Sequence, residues 1–370
     1  MNSRLRSSGG GPLLLAVVLG LLLTAAGCGR MTGAAVQGAA VQGDPASARN
    51  AADAARPGSA GESRSRPDQL TVMLDWYPNA VHSFLYAAEE NGYFADRNLK
   101  VKLRMPAETN DALRLAAAGQ VDLALTYQPQ VLMARGASVP VKAVSAVVRH
   151  PLNRLLIRAD EEGITRPREL PGRTIGYSSI PLYDAMLRTM VEADGGDSSG
   201  LNLVDVGYDL IPALATGRTD AVIGGFVNHE ELLLDKQHCS VLSLNPADFG
   251  VPDYAELVFA ASEQTLAERG EVIRRFLAAA AEGQAYVNSH PQEALAILLK
   301  HEETAAPLDP EIERASLALL LPLMDFGDEP YGYLGPESWE QIGNWLKGRK
   351  LLPGNIDPKE AGSDNRLIAP

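Results

Sequence analysis

Asp75 and Trp76 stand side by side directly after the apolar segment LTVML, and between them they offer a carboxylate and an indole to one ligand. An indole stacks on a flat heteroaromatic ring at the ~1 kcal/mol scale of aromatic pairs, and a carboxylate accepts hydrogen bonds from an exocyclic amine. The competing role for Asp75 is to cap the helix starting near Asn79. Asn79 and His82 are three residues apart and share a helical face. There Asn79 suits an N-cap better than a ligand contact, and His82 either points at ligand or satisfies local backbone. Tyr127 and Gln128 end the strand-like VDLALTY with a ring, a hydroxyl and a two-way amide able to read the edge of a flat ring. Tyr177, Ser178 and Ser179 lie between a strand and the helix of LYDAML, where free N–H groups bind anions or carbonyl oxygens, unless the serines only cap. Phe226 and Asn228 follow the paired glycines of DAVIGG, which allow close approach of a ligand. His229 and Glu230 read equally well as solvated helix residues. His229, Glu230 and a lone His238 lack a second ligand pair at metal spacing, so no metal and no cofactor is expected. No Ser-His-acid pattern or Gly-rich phosphate loop points to an enzyme.

These residues need elements that bring them together. Strand-like and helix-like segments alternate from LTVML through the helical AVHSFLYAAEENGYF, LKVKLR, DALRLAAAG, VDLALTY and QVLMARG to VPVKAVSAVV. A second run of the same kind begins after ITRPRELPG, with RTIGYS, LYDAMLRTMVEADG, LNLVDV, DLIPALATG, DAVIGGF and HEELLLDKQ. The alternation predicts α/β layering on largely parallel sheets, in two lobes. AELVFAAS reads as a strand returning the chain to the first lobe, and Ile273, Phe276, Leu277, Ala280 and Val287 trace the apolar stripe of a long helix.

Ahead of this lies a different kind of sequence. Arg4 and Arg6 precede an apolar run from Leu13 to Leu23, and Thr24-Ala25-Ala26-Gly27 leads into Cys28. The run is short for a span of ~20 residues, and small residues before the cysteine suit a peptidase. The expectation is a lipoprotein signal peptide over 1–28, lipidated at Cys28 on the outer side of a bacterial cell membrane. An ordinary secretory signal is the alternative. Residues 29–67 are nearly all small or polar and without an aromatic, the composition of a flexible tether. The net charge of −13 becomes −15 once Arg4 and Arg6 leave, which argues against nucleic acid as a partner. Cys239 is the second of only two cysteines; with Cys28 lipidated no internal disulfide remains, and a buried, inert thiol is expected.

LDWYPNAVHSFLYAAEENGYF resembles the opening signature of the pyrimidine-binding proteins related to thiamine biosynthesis. That family includes lipoprotein receptors of ABC importers and eukaryotic pyrimidine synthases. VDLALTYQPQVLMARGASVPVKAVSAVV, RPRELPGRTIGYSSIPLYDAML, DAVIGGFVNHEELLL and GVPDYAELVFAAS are similar to its later blocks, so the likeness runs from about Leu70 to Leu346. It implies a bilobal periplasmic-binding-protein type II fold, two α/β lobes closing on a ligand by hinge motion. The lobes fall at 68–160 and 161–248, with a mainly helical return over 249–350 and a C-terminal tail over 351–370. In the receptors two adjacent acids grip the aminopyrimidine; here the resemblance puts Tyr183 and Asp184 there, leaving one acid. In the synthases a cofactor lysine would fall at Thr126 and a cysteine-rich iron motif near Val251 to Phe259, where no cysteine stands. The resemblance thus implies a monomeric, lipid-anchored receptor that hands a thiamine-related pyrimidine to an ABC permease and its ATPase. Riboflavin or another flat heterocycle is the nearest rival ligand, and an alkanesulfonate, wanting a cation that these loops lack, comes third.

Overall fold

The computed structural model describes residues 66–159, 163–302 and 307–368. Cys28, the leader and the tether as far as residue 65 lie outside them. The described residues form one compact unit.

Two five-stranded sheets organise the chain. The first runs in the order β2-β1-β3-β10-β4, from β1 (Asp68–Met73), β2 (Leu99–Arg104), β3 (Leu123–Thr126), β4 (Val141–Val148) and β10 (Leu257–Ser262). The second runs β7-β6-β8-β5-β9, from β5 (Asn153–Arg158), β6 (Thr174–Tyr177), β7 (Asn202–Asp205), β8 (Ala221–Phe226) and β9 (Val241–Leu244). The sheets repeat one plan. β1 is parallel to β2 and β3, as β6 is to β7 and β8, while β10 and β5 lie antiparallel to both neighbours. The expected largely parallel sheets are therefore mixed, because the strand that follows each passage between lobes joins its new sheet from the opposite direction.

β5 also moves a boundary. NRLLIR pairs with Phe226–Ala221 of β8, so the second lobe starts at Asn153 and the first passage is 149–152, not a boundary near 160. The second passage, 250–256, leads from the short helix Pro246–Phe249 into β10. Glu256 ties the two passages together: its Oε2 accepts the Leu152 N–H at 2.7 Å and the Asn153 N–H at 3.0 Å.

Helices cover both sheets. The longest, Glu263–Ser289, starts where the Ser262 hydroxyl accepts the Thr265 N–H, and buries Ile273, Phe276, Leu277, Ala280 and Val287 as the periodicity predicts. It lies so close to the helix Ser83–Glu90 that a β-carbon on Gly283 would stand 2.2 Å from the Phe84 carbonyl oxygen. Only glycine fits that crossing. The segment after 350 is packed on the first lobe: Asp364 N–H bonds the Ala143 carbonyl, and Gly362 abuts Trp339. Cys239 is half-buried and packs on the cluster of Leu156, Leu214 and Leu234 in the second lobe.

Candidate ligand-binding cleft

The cleft lies at the carboxyl ends of the parallel strands of both sheets, the place where open α/β sheets bind ligands. Asp75 and Trp76 follow β1, Tyr127 follows β3, Ser178 follows β6, and Gly224, Phe226 and Asn228 end or follow β8. With Asn79, Val81, Tyr183, His229 and Glu230 they line a narrow cavity between the lobes, its interior space of about 400 Å³ counted together with the solvent at its mouth.

Each wall residue is held from behind. Asp75 is buried, and its Oδ1 lies 2.9 Å from His82 Nε2. His82 Nδ1 accepts the Asn79 N–H at 3.2 Å, which fixes the tautomer: the proton is on Nε2 and is donated to Asp75. His82 is fully buried behind Asp75 and is not on the cavity wall. Asn79 caps the turn Ala80–His82 by accepting the Val81 N–H and still borders the cavity. Trp76 packs edge-on against Tyr208, ring centres 4.4 Å apart, and its buried indole N–H makes no hydrogen bond of good geometry but lies close enough to the Tyr77 hydroxyl to lower that group's pKa against the effect of burial. From the other lobe, Asn228 donates to Ser316 Oγ at 3.0 Å while its amide oxygen is buried and unpaired. Both side chains line the cavity and bring it an indole face and an amide.

Tyr127 and Tyr183 add hydroxyls kept neutral: burial pushes both pKa values well above the usual phenol range. Tyr183 owes its position to Gly224, whose φ of +98° and missing side chain let the ring lie against the β8 backbone; a β-carbon there would stand 2.8 Å from the ring.

Other expected site residues face elsewhere. Gln128, one residue beyond Tyr127, turns away from the cavity and accepts the Ala255 N–H at 2.6 Å and the Ser338 hydroxyl at 3.0 Å. Tyr177 stays in β6, and Ser179 bonds Asp205 through its N–H and hydroxyl. Asp184 pairs with Arg188 one helical turn on and is 44% exposed, so the acid carried over from the receptors does not reach the cavity.

The acids that do reach it are Asp75 and Glu230. Glu230 is no solvated helix residue: it is buried, accepts the Phe226 N–H at 2.8 Å and lies 3.1 Å from His229 Nδ1. Burial works to lower the His229 pKa, but the Glu230 and Glu313 carboxylates hold it above the usual imidazole range. The sequence HEELLL hid this pair, because only the fold shows that the turn after β8 tips the helix start into the cleft. The double glycine of DAVIGG was the available signal. Among the described wall residues there is no Arg or Lys.

The lobes are closed on this cavity. Thr109 of the first donates to the Ser178 carbonyl of the second at 3.1 Å, the Tyr208 hydroxyl donates to the Pro106 carbonyl at 3.3 Å, and Lys236 reaches Asp309 at 2.6 Å. Tyr77–His229 and Tyr127–Phe226 are further edge-on ring pairs across the cleft.

Known proteins share this chain's pattern. The sequence profile described as NMT1/THI5 like matches residues 79–294. This chain belongs to that family. A formylaminopyrimidine-binding protein of Halalkalibacterium halodurans is 42% identical over 297 residues, spanning 80% of this chain and 90% of its own length. A 4-amino-5-hydroxymethyl-2-methylpyrimidine phosphate synthase of Legionella pneumophila is 22% identical over 297 residues, 79% of this chain and 90% of its own. The alkanesulfonate-binding protein SsuA of Xanthomonas axonopodis pv. citri, bound to MOPS, superposes with a TM-score of 0.63 at 15% identity, over 80% of this chain and 99% of its own. At that identity the likeness is one of fold, and the fold of this NMT1/THI5-like chain is the bilobal one of the periplasmic binding proteins.

Proposed function

We propose that this chain is an extracytoplasmic receptor of an ABC importer that captures a thiamine-related pyrimidine, of the hydroxymethylpyrimidine or formylaminopyrimidine kind. The observation that carries this reading is the meeting, in one closed cavity, of the Trp76 indole, the Asn228 amide and the Asp75 carboxylate. An aminopyrimidine presents ring nitrogens that accept and an exocyclic amine that donates, so it answers all three. A ligand of about a dozen heavy atoms bound at micromolar affinity needs ~8 kcal/mol, or ~0.7 per atom, which only near-complete enclosure provides. The 42% identity to a formylaminopyrimidine-binding protein supports the ligand class.

The rival of another class is a pyrimidine synthase. Thr126, where the resemblance would put the cofactor lysine, carries no amine and donates its hydroxyl to Gln130 at 3.0 Å. A Schiff base cannot form there. A sulfonate is disfavoured because the wall offers it carboxylates and no guanidinium or ammonium. Lipidation of Cys28 would hold the receptor at the membrane beside its permease, with 29–67 as the tether; mass spectrometry of the N-terminal peptide checks it, and an unmodified Cys28 contradicts it.

A thermal-shift panel tests the ligand. Hydroxymethylpyrimidine or formylaminopyrimidine should stabilise the chain in a saturable way, thiamine, riboflavin and taurine less. Stabilisation by taurine alone would sink the pyrimidine assignment.

A further inference from the structure

We propose that the chain carries a second binding site, for a small oxyanion of the phosphate class, on the hinge side of the first lobe. The site is a cavity distinct from the inter-lobe cleft. Arg149 and His150 of the first passage, Asp253 and Ala255 of the second, Gln128, and the start of the helix Pro336–Gly348 line it.

Two independent features bring unpaired donors to its lining. That helix has thirteen residues, and its N-cap is Gly335, which supplies no capping side chain. Pro336 has no N–H, and the N–H groups of Glu337 and Ser338 make no hydrogen bond with a described residue. Open N–H groups and the positive end of the helix dipole form an anion seat. The second feature is Gln128, which has no solvent exposure at all. Its oxygen is doubly occupied by the Ala255 N–H and the Ser338 hydroxyl, which fixes the amide's orientation against the helix start. Its Nε2 is left buried without a partner. Leaving such a donor unsatisfied is costly, so the fold keeps it at a loss unless an acceptor is supplied.

Arg149 and His150 bring cationic groups to the lining, where the carboxylates of Asp253 and Glu337 stand against them. Arg149 is held over the Phe326 ring at 5.2 Å and donates to the Asp325 carbonyl, and its planar fork retains further donors. His150 pairs with Asp253 at 2.8 Å, and that hydrogen bond raises its pKa. A water offers two acceptor sites to this many donors, whereas a phosphate oxyanion offers several. Glu337, exposed in the first helical turn, is the one acid of that turn and competes with the anion for the same N–H groups. None of these donors depends on what the inter-lobe cleft binds.

Calorimetric titration of the purified full chain with inorganic phosphate, at ionic strength held constant with chloride, tests the site. The wild type should give a saturable isotherm. Arg149→Gln should weaken it about fivefold, the scale of one charge-assisted hydrogen bond at a half-exposed position, and Glu337→Gln should tighten it. Gln128→Glu, which keeps the accepting oxygen and replaces the donor, should abolish it. Because Gln128 is structural, the two surface variants, Arg149→Gln and Glu337→Gln, keep the test decisive even if Gln128→Glu misfolds. Heats that never saturate, or identical isotherms for wild type and Arg149→Gln, would overturn the proposal.

Discussion

Asp75 shows how one side chain acquires its role from the residues behind it. His82 donates to one carboxylate oxygen because its other nitrogen is occupied by the Asn79 N–H, so the acid is oriented before any ligand arrives. Asp75→Asn should therefore weaken aminopyrimidine binding at least tenfold by equilibrium titration, since a charged acceptor becomes a neutral amide while His82 still finds an oxygen to donate to. Asp184→Asn should leave affinity unchanged, because that carboxylate pairs with Arg188 outside the cavity. If Asp184→Asn were the damaging change, the placement of the helix Pro181–Ala193 would be wrong. Trp76→Ala should cost roughly 1 kcal/mol or more, about a fivefold loss, without lowering the unfolding midpoint much. At this scale the sequence told which strand ends matter but not which of two neighbours faces in. Tyr127 lines the cavity and Gln128 does not; Ser178 does and Ser179 does not. Adjacent residues at a strand end point to opposite sides, and the phase is set by packing that no local pattern records.

Among the elements, the second passage between lobes carries a buried acid whose titration can be followed. Glu256 is buried, and burial lifts its pKa from an ordinary 4.5 to about 7, against the pull of the Asn153 and Leu152 N–H groups. The native state then holds a proton that the unfolded chain has released between pH 4.5 and 7, so stability falls as pH rises through that window and levels off above it. Glu256→Gln cannot ionise and should flatten the melting-temperature profile over that range. Profiles of mutant and wild type that run parallel would show that Glu256 does not titrate there. The same carboxylate links hinge to cavity, because Asn153, whose N–H it accepts, in turn accepts the Gly224 N–H at 2.9 Å. The alternation of strands and helices was legible along the chain, and so was the return through AELVFAAS. NRLLIR was missed because it follows the apolar β4 after only four residues, and such a short gap reads as continuation of one lobe instead of passage to the next.

For the whole molecule, the lobes meet through few direct polar contacts among the described residues, and ligand capture must work by parting and rejoining them. Lys236 bridges to Asp309 and Glu311 across the outer edge of the cleft, at positions 32–78% exposed. Exposed pairs are screened by solvent and weak, so Lys236→Ala should speed ligand dissociation by no more than about fivefold in stopped-flow measurements. A larger effect would make this bridge a principal latch. The bilobal architecture followed from the two α/β runs and the resemblance, whereas closure and the aromatic pairs across the cleft depend on how the lobes meet. The central claim is that the closed cavity recognises an aminopyrimidine through Trp76, Asn228 and Asp75. Isothermal titration calorimetry of the chain with formylaminopyrimidine tests it most directly. One saturable site near micromolar affinity, weakened by Asp75→Asn and Trp76→Ala, is the predicted result; no heat with formylaminopyrimidine alongside clear binding of taurine would contradict it.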